Sequence, residues 1–239
     1  MRQDAPVFPT RALLLAGGMG SRLRPLTDSI PKCLVPIAGR PLLSYWFHNL
    51  FQAGVKRALV NTHYRAEQVR DFCGRSAWCD RIDLVHEEHL LGTCGTLWKN
   101  RAYFDDEHPF WLIHADNLSR FDPVVMWQRH LMRPSGCLGT MMTFETDNPS
   151  ECGIVSLDAD GVIKSYHEKI ADPPGRLANG AVFILEASIF GILDRFPKAL
   201  DFCGEIVPTL VQQLFSFHND QFHRDIGTPK SYELACKEF

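Results

Sequence analysis

A glycine-rich loop followed by basic residues stands out near the start of the chain, in the segment LAGGMGSRLRPLTDSIPK of residues 15–32. The apolar residues 12–16 that lead into it predict a buried parallel strand. Glycines allow a sharp turn and let backbone N–H groups approach a ligand, and the loop contains Gly17, Gly18 and Gly20. Arg22 and Lys32 add fixed positive charge. This combination favours a site that holds phosphate groups.

Two common phosphate-binding loops do not fit this segment. A Walker A loop needs Lys and then Ser or Thr directly after its glycines, whereas Lys32 lies well beyond Gly20. The dinucleotide fingerprint would need glycine at Leu23 and a carboxylate near Asn61, where the second predicted strand ends. A nicotinamide-dependent oxidoreductase is therefore disfavoured.

The segment instead resembles the signature of the sugar-1-phosphate nucleotidylyltransferases, also called sugar-nucleotide pyrophosphorylases. The pattern GGxGxRLxPLTxxxPKxLxPIxGxPLL runs without a break over residues 17–43. Short matches continue over nearly the whole chain: LGTCG at 91–95, Asp116, the pair Glu168-Lys169, and DIGT at 225–228. The LGTCG run is most similar to the LGTAG of mannose- and heptose-1-phosphate guanylyltransferases.

The elements that position these motifs follow from hydrophobic periodicity. In the first part of the chain, strands are predicted at 12–16, 58–61, 82–86, 110–114 and 138–144, with helices at 41–53, 66–72, 96–103 and 121–131. This alternation predicts an α/β fold with a parallel sheet and helices on both faces. Ligands bind beyond the carboxyl ends of such strands, and Asp116 follows one of them.

The second half of the chain is richer in strands. A hairpin is predicted for residues 153–157 and 162–167, then a strand at 178–185, helices near 187–195 and 205–214, a strand at 221–224 and a short final helix. We interpret this half as a β-rich sugar-binding insertion within one nucleotidyltransferase domain of residues 1–239. Residues 1–10 are polar with two prolines and predict a loose leader.

The resemblance implies a fold and a reaction. Family members are three-layer α/β/α sandwiches with a mainly parallel, Rossmann-like sheet. They transfer a nucleoside monophosphate from a nucleoside triphosphate to a sugar 1-phosphate, with Mg²⁺ as cofactor, and release pyrophosphate. A sugar-phosphate oxygen attacks the α-phosphorus in line with the leaving group, so catalysis depends on positioning and charge neutralisation.

The resemblance also assigns roles to residues of this sequence. Nucleotide binding falls to Ala16, Gly17, Gly18, Gly20, Arg22, Glu87, Gly92 and Thr93. Sugar-phosphate binding falls to Lys32, Gly153, Glu168, Lys169 and Asn179, with Gly153 letting the sugar approach the backbone. The catalytic set is Arg22, Lys32, Asp116 and Lys169, and Mg²⁺ is assigned to Asp116 and Asp225. Read alone, Asp116 could instead cap its loop, and Glu168 could simply pair with Lys169.

The position of Glu87 bears on the nucleobase. Relatives that use UTP or dTTP often have glutamine there, and an ionised carboxylate only accepts hydrogen bonds. Guanine presents two adjacent donors, so Glu87 or Glu88 favours GTP, with mannose or heptose 1-phosphate as an example of the acceptor. The alternatives are a uridylyl- or thymidylyltransferase, a catalytically silent regulatory homologue that binds nucleotide sugars, and two glutamates that are only solvated loop charges.

Composition narrows the range of partners and compartments. A net charge of −3 over 239 residues argues against a nucleic-acid binder. No apolar run approaches the roughly 18 residues that span a membrane. Eight scattered cysteines without a C-x-x-C pair are typical of reduced thiols, so a cytoplasmic location is expected. The sequence does not decide between a monomer and a homo-oligomer.

Three residues of this sequence depart from the family pattern: Ala115, Cys152 and Ile170.

Overall fold

The computed structural model describes residues 8–104 and 108–239. The strands of these residues are β1 (Arg11–Leu15), β2 (Pro36–Ile37), β3 (Arg40–Pro41), β4 (Arg57–Thr62), β5 (Ile82–His86), β6 (Phe110–His114), β7 (Asn117–Arg120), β8 (Gly139–Glu145), β9 (Gly153–Leu157), β10 (Ile163–Glu168), β11 (Leu177–Leu185), β12 (Leu214–His218) and β13 (Phe222–Asp225). The α-helices are α1 (Leu42–Ala53), α2 (Ala66–Gly74), α3 (Gly92–Lys99), α4 (Pro123–Leu131), α5 (Ile189–Leu193) and α6 (Pro229–Glu238).

A nine-stranded sheet lies at the centre of the structure. Strands β5, β4, β1 and β6 are parallel neighbours in that order. Strand β11 then pairs antiparallel with β6 and with β8, and β12 lies parallel to β8. The β9–β10 hairpin joins the sheet where Ile154 pairs with Ala178 of β11. The sheet is thus parallel in the first half of the chain and mixed in the second.

The alternation of side chains along β1 explains why the sheet is covered on both faces. Successive residues of a strand point to opposite sides. Ala12 and Leu14 belong to a core that includes residues of α1, α2 and α4. Leu13 and Leu15 belong to a second core with residues of α3 and α5. The result is the three-layer α/β/α sandwich that the family resemblance implied.

Helix α1 shows how the sequence pattern becomes packing. Trp46, Phe47 and Leu50 are essentially inaccessible to solvent, and each such burial contributes about 1.5–3 kcal/mol to stability. The helix ends at Gly54, whose φ of 117° is readily adopted only by glycine and whose N–H donates to the carbonyl of Leu50.

Some predicted elements differ from the observed ones. The helix predicted near 205–214 is wrong, because the chain forms two short turns, Phe202–Ile206 and Val207–Leu210, and then enters β12. Pro208 has no N–H for a helix, and Gln212 has a φ of 66°. Helix α3 begins at Gly92 rather than near residue 96. Strand β7 was not predicted at all.

The loose leader predicted for residues 1–10 is wrong for residues 8–10, which are half-buried or buried. Residues 1–7 of that segment lie outside the described residues, whereas Phe8 packs against Trp111 and Trp127 with ring centroids 6.1 Å apart in both cases. The carbonyl of Thr10 accepts hydrogen bonds from the N–H groups of Lys56 and Arg57.

No helix within residues 8–104 and 108–239 is long and apolar enough to cross a membrane.

Candidate active site

A buried lysine holds two aspartates together at the centre of the site. Lys32 lies in a 3₁₀ turn, Lys32–Leu34, and its side chain is only 8% exposed. Its Nζ donates to Oδ2 of Asp116 at 2.9 Å and to Oδ1 of Asp225 at 3.1 Å. The two aspartate side chains keep 41% and 47% of their surface exposed, so they face solvent while the lysine does not.

Strand pairing explains why two aspartates so far apart in sequence meet here. Asp116 follows β6, which pairs parallel with β1. The chain then turns directly into β7, which pairs antiparallel with β13. In this register Asp225 is the partner of Asn117, one residue after Asp116. The two-stranded β7–β13 ladder therefore sets the distance between the carboxylates.

Electrostatics keeps this cluster ionised. Burial lowers the pKa of Lys32, but the charges and hydrogen bonds of Asp116 and Asp225 outweigh that effect and raise it overall. Burial raises the pKa of Asp116, but the charge and hydrogen bond of Lys32 outweigh it and lower the pKa overall. At neutral pH Lys32 is therefore an ammonium and Asp116 a carboxylate.

The glycine loop borders a cavity of about 230 Å³, which we call the loop cavity. Its lining includes Ala16, Gly17, Gly18, Gly20, Lys32, Glu87, Gly92, Thr93 and Asp116. All predicted nucleotide-binding residues except Arg22 are therefore brought together. Lys32, predicted to bind the sugar phosphate, lies on this side of the site instead.

The first N–H groups of the loop are already used inside the protein. Ala16 N and Gly17 N donate to Oδ1 of Asn61, at 2.7 and 3.2 Å. A Cβ on Gly17 would lie 2.9 Å from Nδ2 of Asn61, so a larger residue here would crowd that side chain. The N–H of Gly17 thus has an internal acceptor in this structure, and its predicted contact with the triphosphate stays a prediction.

Glu87 is buried rather than a solvated loop charge. It is 2% exposed, whereas its neighbour Glu88 is exposed. Its Oε1 accepts from Nδ2 of Asn61 at 3.0 Å and from the hydroxyl of Thr96 at 2.5 Å, and its Oε2 accepts from Leu91 N at 3.2 Å. Glu87 lines the loop cavity, but three protein donors already engage its carboxylate.

Gly92 and Thr93 connect the loop cavity to the segment that follows α5. Gly92 has a φ of 74°, and a Cβ there would collide with the carbonyl of Leu200. The hydroxyl of Thr93 accepts from Phe202 N at 2.7 Å and donates to Oδ1 of Asp201 at 3.3 Å. These two residues therefore dock the 200–202 segment in addition to lining the cavity.

A second cavity of about 250 Å³, the hairpin cavity, lies beside the first and shares Thr93, His114 and Asp116 with it. Its lining includes Arg22, Gly153, Glu168, Lys169, Asn179 and Asp225. All predicted sugar-phosphate residues except Lys32 are therefore brought together. Arg22, predicted to grip the nucleotide phosphates, borders this cavity and not the loop cavity.

The hydroxyl of Tyr166 lies against Gly153, and the predicted approach of a sugar to Gly153 stays a prediction. A Cβ on Gly153 would collide with the Tyr166 hydroxyl and lie 2.6 Å from Oε2 of Glu168. The Tyr166 hydroxyl in turn donates to Glu168 and accepts from Nδ2 of Asn179 at 3.3 Å. Gly153 thus admits the protein's own side chains, and Tyr166 orients Glu168 and Asn179.

The two remaining predicted cations are both half-exposed. Arg22 lies 3.4 Å from Oε2 of Glu151 and 3.8 Å from Oδ2 of Asp225. Lys169 has a φ of 47°, and its Nζ lies 3.2 Å from Oε1 of Glu168. The alternative that Glu168 pairs with Lys169 is therefore what the structure shows, and both side chains still border the hairpin cavity.

Sequence reasoning missed several residues of this site. Asn61 was used only to show that the carboxylate of a dinucleotide-binding site is missing. A polar residue near the end of an apolar strand could have indicated its role in the site. Tyr166, Asp201 and Glu151 carried no such local signal. His114 lies between the cavities, and burial lowers its pKa, so it is neutral near pH 7.

The donor set suits one hard cation. Within the described residues no cluster of three or more His, Cys, Asp or Glu side chains is arranged as a metal site. However, Asp116 and Asp225 both reach a single ammonium nitrogen, so they are close enough to share one cation. Mg²⁺ commonly takes one or two carboxylates together with substrate phosphates and water.

The family model described as nucleotidyl transferase matches residues 11–238. The catalytic subunit beta of a mannose-1-phosphate guanylyltransferase from Drosophila pseudoobscura pseudoobscura is 32% identical over 93% of this chain. A mannose-1-phosphate guanyltransferase from Candida albicans is 29% identical over 93% of this chain. The chain spans 60% and 62% of the length of these curated relatives.

Among solved structures, HddC from Yersinia pseudotuberculosis is 25% identical, with a TM-score of 0.77 over 96% of this chain and 99% of that one. The same protein complexed with GMP-PN gives a TM-score of 0.78 with the same identity and coverage. The resemblance in fold and family is thereby confirmed.

The ion-pair cluster predicts how stability responds to its lysine. Lys32→Met leaves two carboxylates facing each other, so we expect a loss of about 1–3 kcal/mol in the free energy of unfolding at pH 7. Because the pKa of Asp116 is lowered in the folded state, its contribution is present above its unfolded pKa and disappears as the pH falls through the folded pKa. The loss should therefore shrink below about pH 4.

Urea unfolding at pH 7 and at acid pH measures both effects. Arg22→Met is the matched control, since it removes an exposed cation near Asp225 and should cost only about 0–1 kcal/mol. An equal loss for Lys32→Met at both pH values would contradict the ion-pair assignment.

Proposed function

This chain belongs to the nucleotidyl transferase family, and we propose that it transfers a nucleoside monophosphate from a nucleoside triphosphate to a sugar 1-phosphate, with release of pyrophosphate. The observation that carries this proposal is the pair of adjoining cavities that meet at Asp116. One cavity is bordered by the glycine loop and the other by Glu168, Lys169 and Asn179. Such an arrangement suits two phosphorylated substrates that must react at a shared boundary.

We propose GTP as the nucleotide donor and a sugar phosphate such as mannose or heptose 1-phosphate as the acceptor. Two relatives named as mannose-1-phosphate guanylyltransferases support this choice, as does the HddC structure complexed with GMP-PN. The proposal for the donor base rests on these relatives, because the carboxylate of Glu87 is engaged by protein donors.

The residues of the two cavities suggest a division of roles. Lys169 would bind the phosphate of the sugar, whose hydroxyls would reach Glu168 and Asn179. Arg22 lies at the boundary beside Asp225, where its guanidinium would stabilise charge that develops on the phosphates. Lys32, buried on the nucleotide side, would keep that region positive while it holds Asp116 and Asp225 in place.

We further propose Mg²⁺ as the cofactor, held by Asp116 and Asp225. When bound, it would neutralise charge on the nucleotide phosphates. All eight cysteines are free thiols, and this supports a reducing compartment, which we infer to be the cytoplasm.

A matrix of nucleoside triphosphates against sugar 1-phosphates tests the reaction. We expect pyrophosphate release with GTP and mannose or heptose 1-phosphate, at a kcat/KM about ten- to a hundredfold above that for UTP, dTTP, CTP or ATP. Pyrophosphate release and nucleotide-sugar formation are followed together. Activity restricted to UTP or dTTP would contradict the donor assignment but keep the enzyme class, whereas no product in any combination would contradict the reaction.

The metal assignment predicts the effect of removing either aspartate. Asp116→Ala and Asp225→Ala should each lower kcat on the order of 100-fold or more while the protein remains folded. Mn²⁺ binding, measured by electron paramagnetic resonance, should weaken in both variants. Asp220→Ala, an exposed carboxylate at the β12–β13 turn, is the control and should change neither quantity. Mn²⁺ affinity equal to that of the wild type in the two site variants would rule out this pair as the metal ligands.

The two half-exposed cations should differ in their kinetic effects. Arg22→Ala should mainly lower kcat, because its partner charge grows in the transition state. Lys169→Ala should mainly raise the KM for the sugar phosphate, roughly ten- to a hundredfold for a lost charge-assisted hydrogen bond. Lys164→Ala, exposed on the same strand β10, is the control. If Lys169→Ala changes only the KM for the nucleotide, the hairpin cavity is not the sugar side.

A further inference from the structure

A buried polar network lies directly beneath the glycine loop. It consists of Asn61 on β4, Glu87 after β5 and Thr96 on α3, and their exposed fractions are 5%, 2% and 1%. Polar groups are costly to bury unless their hydrogen bonds are made. The need to form these hydrogen bonds therefore fixes the positions of the three side chains.

Asn61 connects this network to the loop in one orientation only. Its Oδ1 accepts from Ala16 N and Gly17 N, so its Nδ2 must face the other way. That nitrogen donates to Oε1 of Glu87 at 3.0 Å. If the amide were reversed, its NH₂ group would face the N–H donors of Ala16 and Gly17. Its oxygen would then face the carboxylate of Glu87.

Glu87 enforces that orientation. An ionised carboxylate only accepts hydrogen bonds, so it selects the NH₂ end of the amide. Its remaining partners are the hydroxyl of Thr96 and Leu91 N, which hold it from α3 and from the loop before that helix. The carboxylate of Glu87 thus fixes the orientation of the Asn61 amide. The amide oxygen is then held where it accepts from the first two N–H groups of the loop.

We propose that Asn61 is a positioning residue for the nucleotide loop and that Glu87 acts through it, supporting every nucleoside triphosphate alike rather than reading the base. This inference rests on the proposed function for the identity of the ligand. By anchoring the start of the loop before the ligand arrives, the network reduces the ordering that binding would otherwise require.

Two single substitutions and their combination test this role. In Asn61→Asp the loop keeps its acceptor, but the second oxygen meets the carboxylate of Glu87. In Glu87→Gln the amide must oppose a donor either at Asn61 or at Leu91 N. Each variant should raise the KM for GTP about tenfold or more. The KM values for UTP and ATP should rise by the same factor.

The double variant Asn61→Asp/Glu87→Gln reverses the hydrogen bond instead of removing it. The amide nitrogen introduced at position 87 would donate to the carboxylate introduced at position 61, and the amide oxygen would accept from Leu91 N. The Thr96 hydroxyl, which loses Glu87 as its acceptor, would donate its one proton to the Gly92 carbonyl, which lies 2.8 Å away. We expect the KM for GTP to return to within about threefold of the wild-type value. Thr62→Val, a buried neighbour on β4 whose hydroxyl contacts β5, is the matched control.

The measurements are KM and kcat with GTP, UTP and ATP, GTP affinity by calorimetry, and thermal melting of all five proteins. Recovery of GTP affinity in the double variant, with unchanged GTP-to-UTP discrimination throughout, is the expected result. Single variants that melt earlier but keep the wild-type GTP affinity would overturn the proposal. So would a Glu87→Gln variant whose GTP-to-UTP discrimination collapses and is not restored by Asn61→Asp.

GTP affinity measured by calorimetry tests the positioning role independently of the proposed reaction. If the wild-type protein makes no nucleotide sugar but GTP affinity follows the predicted pattern, the reaction is wrong and the positioning role holds. If nucleotide sugar is made and all variants bind GTP equally, the reaction holds and the positioning role is wrong.

Discussion

The ion-pair cluster of Lys32, Asp116 and Asp225 is the constraint on which the site depends. A lysine as buried as Lys32 must be paired, because an isolated ammonium away from water is very costly. One of its partners directly precedes β7 and the other ends β13, and the lysine itself comes from the segment after the glycine loop. One buried charge therefore ties together three parts of the chain that each border a cavity.

The two cavities are lined by different parts of the chain, and contacts between these parts connect them. Parallel strand ends carry the glycine loop, Asn61, Glu87 and Asp116, as expected for an open parallel sheet. The β9–β10 hairpin and β11 carry the groups of the second cavity. The contacts of Gly92 and Thr93 with residues 200–202 join the two sides through α3, so neither cavity wall is independent of the other.

Three glycines of this site make room for other parts of the protein. Gly17 makes room for Asn61, Gly92 for the carbonyl of Leu200, and Gly153 for Tyr166. A match to a family motif points to such positions but does not say which protein atom approaches them. The close approach is resolved only when the neighbouring segments are placed.

The sequence by itself determined the layered α/β fold and most of the residues that line the two cavities. Local periodicity predicted β1, α1, β4, α2, β5 and β6. In each of these elements the buried residues repeat at a regular spacing within a short segment of the sequence. Only the tertiary structure decided the β7–β13 register, which brings Asp225 to Asp116, and the positions of Lys32 and Arg22 on opposite sides from those expected. It also decided the orientation of Asn61 and the existence of β12. These features depend on contacts between segments distant in sequence, where strand pairing and burial, rather than local propensity, select the outcome.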